Sequence, residues 1–178
     1  MLTDNNMRAL LVGRFQPFHN GHLNLVEKIL EKSDSIIIVI GSAQHSYTLE
    51  NPFTAGERLE MISAVLKESV HKDFYIVPVE DVDSNSIWVS HIETLVPKFD
   101  VIFTNNPLVR TLFLDKGYKV ESTSLHDRSD LSGTNIRKKM LKGEHWEQLV
   151  PVQISKYIKQ IGGVKRIAMI AKSDKATL

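Results

Sequence analysis

Five consecutive β-branched residues, Ile36-Ile37-Ile38-Val39-Ile40, run directly into Gly41. A strand pleats its side chains alternately to opposite faces, so a run that is apolar at every position must be covered on both sides. Such a strand belongs inside a parallel sheet with helices above and below, and the rest of the chain must supply them.

It does. Leu10-Leu11-Val12 ends at Gly13 and reads as another buried strand, and Gly21 to Lys32 carries Leu23, Val26, Ile29 and Leu30 at helical spacing. Residues 42–53 read as a loop containing Pro52. Thr54 and Glu57 then have the spacing of a capping box ahead of a helix through Leu59, Ile62 and Leu66. Strands are expected over Phe74–Val79, Val101–Phe103 and Tyr118–Ser122, with helices over Ser86–Val96 and Leu108–Asp115 between them. From Gly133 the strand signals cease, and helices are expected over Thr134–Leu141, Val152–Ile161 and Val164–Lys172, with Gly143 and Gly162-Gly163 as stops. The fold class is therefore α/β: a Rossmann-like, parallel five-stranded sheet flanked by helices, with a helical C-terminal part. One domain is expected over 1–178, divided into a Rossmann-like core over 1–131 and a helical C-terminal part over 132–178. In such sheets ligands bind at the carboxyl ends of the strands, near the topological switch point.

The 178 residues are 42% apolar and 24% charged with a formal net charge of +1, so any preference for anions must be built locally. No cysteine is present, which removes disulfides, thiol nucleophiles and the common zinc-finger spacings. Met1 to Met7 is short and polar, Ala9 to Val12 is too brief for a signal peptide, and no stretch approaches the roughly 20 apolar residues of a membrane span. The expectation is a soluble cytoplasmic protein with neither nucleic acid nor membrane as a partner.

Gly13-Arg14-Phe15-Gln16-Pro17-Phe18-His19-Asn20-Gly21-His22 joins the first strand to the first helix. It has neither the Walker pattern nor Gly-x-Gly-x-x-Gly. It does place two histidines three apart on the first turn of a helix, where unpaired N–H groups and the helix dipole favour phosphate. Each imidazole can donate an N–H, and a nearby anion would favour its protonated form. Gly21 leaves room for a flat ring near the backbone, and Arg14 adds a fixed charge with a forked set of donors. A single histidine here would be an ordinary surface or core residue, and a metal site lacks further ligands nearby. The pair points to phosphate.

Leu131-Ser132-Gly133-Thr134-Asn135-Ile136-Arg137 opens the next anion-directed helix, with Ser132 or Thr134 as its cap and Arg137 one turn beyond Thr134. A capped basic helix is common by itself. Two such helix starts in one chain can grip a polyphosphate from two sides.

These motifs resemble the His-x-Gly-His and Ser-x-x-x-Ile-Arg-type signatures of the nucleotidylyltransferase superfamily. The longer stretches Gly13 to His22, Gly41-Ser42-Ala43-Gln44, Asn51 to Arg58, Asn85 to Val89 and Asn106-Pro107-Leu108-Val109 are similar to the archaeal-type nicotinamide mononucleotide (NMN) adenylyltransferases. The likeness runs from about Arg8 to Lys172. Asn105 departs from it, standing where glycine is expected before Asn-Pro.

The resemblance implies transfer of AMP from ATP to NMN, forming NAD and pyrophosphate. It implies an ATP site of Gly13, Arg14, Phe15, His19, Gly21, His22, Asn106, Ser132, Thr134 and Arg137. Of these, His19, His22, Arg14 and Arg137 would carry the catalysis. Phe53, Asn85 and Trp88 would bind NMN, with Trp88 stacked on the nicotinamide ring. No direct protein ligand set is expected for a metal; Mg²⁺ would bind mainly through substrate phosphates. A homo-oligomer, with a hexamer as the candidate, is implied as well. Read from the residues alone, Trp88 could equally be core, and a helix cap with its preceding apolar residue accounts for Thr54 and Phe53. Three rivals stand beside this reading: the same chemistry on pantetheine phosphate, flavin mononucleotide or a cytidylyl-transfer pair; a nucleotide sensor without turnover; and a redox domain, which would want the missing Gly-x-Gly-x-x-Gly turn.

Overall fold

A computed structural model describes residues 6–122 and 131–176. Most of the polar start at Met1 to Met7 therefore lies outside the described residues, as does segment 123–130 of the expected core.

The sheet contains β1 (Arg8–Gly13), β2 (Ser35–Ile40), β3 (Asp73–Pro78), β4 (Val101–Phe103) and β5 (Lys119–Glu121). Its spatial order is β3-β2-β1-β4-β5, and every pairing is parallel. Between the strands run α1 (Asn20–Leu30), α2 (Ala55–Ser69), α3 (Asn85–Leu95) and α4 (Pro107–Asp115). After them come α5 (Gly133–Lys142), α6 (Val152–Gln160) and α7 (Gly163–Ala176). The chain goes outward from β1 to β3, then returns to the other side of β1. The switch point thus falls between the carboxyl ends of β1 and β4, where a crevice opens.

The alternation of β2 divides the core. Ile36, Ile38 and Ile40 join Ala9 and Leu11 on one face, under α1, α2 and the C-terminal helices. Ile37 and Val39 join Leu10 and Ile102 on the other, under Val89 and Ile92 of α3 and Phe113 of α4. All six residues of β2 are buried, as an uninterrupted apolar strand requires. The helical C-terminal part continues the first of these cores, contributing Ile136, Met140, Ile154, Ile158 and Ile167.

Most element ends differ from expectation by a residue or two, while α2 runs on to Ser69 and α7 to Ala176, four residues past the expected Lys172. The Thr54–Glu57 capping box closes α2 as expected: the Glu57 N–H donates to Thr54 Oγ1 at 3.2 Å and the Thr54 N–H to Glu57 Oε2 at 2.9 Å. A short 3-10 turn over Glu147–Leu149, unforeseen from sequence, leads into α6. The turn before α4 does not demand glycine at Asn105, since among the described non-glycine residues only Phe15, Ser42 and Tyr47 have positive φ.

Candidate active site

At the end of β1 the backbone turns sharply. Phe15 has φ 50°, and its ring lies against Gly13, where a Cβ would stand 2.8 Å from Cζ. Only glycine leaves that space free. The Phe15 ring then meets His22 edge-on at 4.9 Å between centroids, with Phe18 on another side at 5.3 Å. His19 caps α1 and stacks on His22, with ring centroids 3.6 Å apart and planes 21° apart.

The two histidines are linked by more than stacking. The His19 backbone N–H donates to His22 Nδ1 at 3.2 Å. That nitrogen therefore carries no proton, and in the neutral ring the proton sits on Nε2 as a donor. Burial pushes the His19 pKa down to about 4. For His22 burial and the neighbouring His19 together push it well below the ordinary value. In the protein alone both rings are thus neutral; a bound anion would have to act against that burial to protonate them. Among the described residues, no hydrogen-bond partner meets the buried His19 Nδ1. The space that Gly21 was expected to leave for a flat ring adjoins this imidazole, since a Cβ there would lie 3.2 Å from it.

Facing α1 is the start of α5. Ser132 is the cap, its Oγ accepting from the Asn135 N–H at 3.1 Å. Gly133 passes so close to the first loop that a Cβ would stand 2.9 Å from the Gln16 carbonyl oxygen. Arg137 closes the seam. It donates to the carbonyls of Gln16 at 2.7 Å and Leu49 at 2.8 Å, and to Thr134 Oγ1 at 3.3 Å. A guanidinium has five N–H donors, so these bonds fix its plane and leave others for a ligand. Burial, then the like charge of Arg14, lowers its pKa, while Glu50 opposes them.

The two helix starts enclose a cavity of about 520 Å³. Arg14, Phe15, His19, Gly21, His22, Ser132, Thr134 and Arg137 line it, joined by Gln16, Pro17, Asn20, Asn24, Leu131 and Gly133. None of these is a carboxylate, and no group of three His, Asp or Glu converges among the described residues. The cavity is suited to a polyanion.

The other expected site residues lie outside this lining. Gly13 packs beneath Phe15. Asn106 spends its side chain as the cap of α4, accepting from the N–H groups of Leu108 at 2.9 Å and Val109 at 3.3 Å. Asn85 is exposed on the first turn of α3, and Trp88 is half-buried, edge-on to Phe113 at 5.8 Å. Both follow β3, at the same carboxyl-end edge of the sheet. The Phe53 ring is wholly buried in the core, against Gly163.

Two residues with no role assigned from sequence organise these loops. The Gln16 side chain pairs with the backbone of Phe53. Arg58, 0% exposed, donates to the backbone carbonyls of Arg14, Gly41, Ser42 and Thr54. A third, Arg166 of α7, reaches the same region through Glu57 at 2.6 and 2.7 Å and the Pro52 carbonyl at 3.1 Å.

Known proteins show the same combination of parts. A cytidylyltransferase-like family profile matches residues 10–139. The nicotinamide-nucleotide adenylyltransferase of Thermoplasma volcanium is 55% identical over 174 residues, covering 98% of each chain. Those of Picrophilus torridus (55%, covering 94% of this chain and 99% of the relative) and Archaeoglobus fulgidus (50%, 94% and 99%) are similar along nearly their whole length. Among solved structures, a bifunctional NMN adenylyltransferase/ADP ribose pyrophosphatase from Francisella tularensis, crystallised with AMP and a manganese ion, superposes with a TM-score of 0.74. It is 21% identical, and the match covers 92% of this chain but 52% of that one, so it bears on the fold alone. With a Rossmann-like sheet, paired helix starts around one cavity and near-complete likeness to these archaeal relatives, the chain belongs to the nicotinamide-nucleotide adenylyltransferases of the nucleotidyltransferase superfamily.

Proposed function

We propose that this enzyme transfers AMP from ATP to NMN, forming NAD and pyrophosphate. The observation that carries the chemistry is the convergence of the α1 and α5 starts on one cavity whose described lining holds no carboxylate. The acceptor rests on the archaeal relatives, which match along almost the entire chain.

The 5′-phosphate oxygen of NMN attacks the α-phosphorus of ATP. A new P–O bond forms as the bond from the α-phosphorus to the bridging oxygen breaks, and pyrophosphate leaves. A phosphate monoester is already a competent nucleophile, so the protein supplies alignment and charge rather than an activated Ser or Cys. His22 Nε2–H and His19 are assigned to phosphate oxygens, Arg14 and Arg137 to triphosphate charge, and Ser132 and Thr134 to the far end of the polyphosphate. Gly13, Phe15, Gly21 and Asn106 are assigned to the adenosine side. Asn85 and Trp88 are assigned to the nicotinamide, and Phe53 supports that side from the core. Magnesium, when bound, would supply charge neutralisation on the phosphates; among the described residues the lining offers hydroxyls and no carboxylate to hold it.

We further assign the protein to the cytoplasm, where ATP is available, and to a homo-oligomer, with a hexamer as the candidate. Ile87 and Leu95 of α3 and Leu108 and Leu114 of α4 support assembly, as large apolar side chains left exposed on the same side of the sheet. Among the described residues no helix is long and apolar enough to cross a membrane.

The deciding experiment measures pyrophosphate release from ATP and Mg²⁺ with NMN, nicotinic acid mononucleotide, flavin mononucleotide and pantetheine phosphate as parallel acceptors. NAD formation with NMN is expected. Release with another acceptor alone overturns the acceptor; silence with all four, despite ATP binding, overturns the catalysis. Light scattering of the same sample gives the assembly size.

A further inference from the structure

Arg58 lies wholly inside the protein, on the first turn of α2. A buried guanidinium normally meets a carboxylate, because an isolated charge is costly to remove from water. Among the described residues its hydrogen-bond acceptors are all backbone carbonyls: Arg14 and Gly41 at 2.9 Å from Nη1, Ser42 at 3.1 Å from Nη2, and Thr54 at 3.2 Å from Nε. These come from three separate segments, the loops after β1 and β2 and the cap of α2.

The positions of those carbonyls are informative. Arg14 immediately precedes Phe15, and Ser42 immediately follows Gly41; Phe15 and Ser42 both have φ 50°. Such conformations cost a side-chain-bearing residue energy and persist only where the surroundings hold them. The carbonyl of Arg14 belongs to the peptide that leads into Phe15, whose ring supports His22. Arg14 is exposed into the cavity, while Arg58 stands behind it. A core packing role would not need a charged fork. An apolar residue would fill the volume but leave these carbonyls without this donor.

We infer that Arg58 is a positioning residue for the ATP half of the reaction, holding the Arg14–Phe15 peptide and the Gly41–Ser42 turn in the geometry that binds the polyphosphate. It acts through these backbones, without touching substrate. Its burial and the nearby Arg14 charge lower its pKa to about 10 against the opposing pull of the Asp81 carboxylate, which it does not hydrogen-bond; it stays charged at neutral pH and adds a positive charge behind the site. Lysine retains a charge but lacks the rigid planar fork that spans Nε, Nη1 and Nη2.

The inference rests on the ATP reading of the cavity, and the experiment separates the two. Steady-state NAD synthesis by the unmodified protein is measured first; failure to make NAD removes the functional reading. With an active parent, Arg58→Lys is compared with Val65→Ala, a core truncation on the same helix that should cost stability without touching either loop. Arg58→Lys should raise KM for ATP at least tenfold and lower kcat, leaving KM for NMN within threefold, while Val65→Ala moves neither KM by more than threefold. Equal effects on the two KM values, unchanged kinetics, or the same kinetic change in Val65→Ala overturns the assignment. Should Arg58→Lys not fold, the intact protein supplies the readout. The hydrogen-bonded Arg58 side-chain N–H resonances should shift with ATP and not with NMN; no shift, or an equal shift with both, overturns it.

Discussion

The Gln16 carboxamide pairs with both backbone groups of Phe53: its Nε2 donates to the Phe53 carbonyl at 2.8 Å, and its Oε1 accepts the Phe53 N–H at 3.0 Å. The side chain thereby imitates a neighbouring strand and ties the loop after β1 to the segment leading into α2. Both bonds are buried.

Gln16→Ala should therefore destabilise the protein by about 2–3 kcal/mol, because a buried donor and acceptor each lose their partner. For a chain of this size that corresponds to roughly 4–12 °C in Tm. Gln16→Glu keeps the shape but sets a carboxylate against the Phe53 carbonyl. Its deficit relative to the parent should shrink as pH falls and the acid regains an O–H donor, which thermal melts across pH 5–8 would show.

His22→Ala should lower turnover by about 10²–10³-fold, the usual cost of one donor to developing phosphate charge. Near-normal kcat in a folded His22→Ala variant would remove that role.

The histidine pair should also make stability pH-dependent. The unfolded His19 pKa is near 6.5 and the folded one is lowered to about 4, so the unfolded chain takes up the proton first on acidification. Stability is full above about pH 6.5 and falls progressively towards pH 4, by about 3 kcal/mol for His19. His22, lowered in the same direction, adds to the loss. Denaturant melts should show a shallower slope over this window in His19→Asn.

Glu57 and Arg166 form a bidentate pair with side chains only 16% and 12% exposed. Burial alone would raise the Glu57 pKa, but Arg166 and the Thr54 backbone outweigh it and lower it. The stabilisation is therefore present above the ordinary carboxylate pKa and is lost as pH falls through the lowered value. Glu57→Gln should cost about 2–3 kcal/mol at pH 7, and a double-mutant cycle with Arg166→Met should return a coupling of at least about 1 kcal/mol.

Trp88→Ala should raise KM for NMN by about threefold to tenfold, the worth of one aromatic stacking contact, with KM for ATP little changed. Parallel titration of both substrates tests this split.

The layout of strands and helices was legible because burial is written locally. Ile36 to Ile40 cannot be satisfied except between two layers, and His19 and His22, three apart at a helix start, meet as the cap and third residue of α1. Gln16 and Arg58 were not legible as supports, since their partners are backbone groups that any sequence supplies, up to 37 and 44 residues away respectively. Asn106 was read as a ligand contact from resemblance; its Oδ1 also caps α4, a task that its residue type performs well and that the sequence reading did not assign. Trp88 owes its proposed role to family resemblance; its half-buried position beside Phe113 fits a packing residue as well as a stacking platform.

The bond from Arg137 to the Gln16 carbonyl spans 121 residues of sequence. During synthesis β1 through β5 leave the ribosome before α5 exists, and closing so long a loop follows the local helices and sheet pairings in time. A nascent or truncated chain therefore presents a sheet with half of a polyphosphate grip and gains little from ATP. Only a chain that carries both helix starts is stabilised by the nucleotide, by an amount that grows with the logarithm of its concentration once that exceeds Kd. ATP thus acts as a late fastener of the fold, rewarding only chains that have been made into their last quarter, where α5 lies.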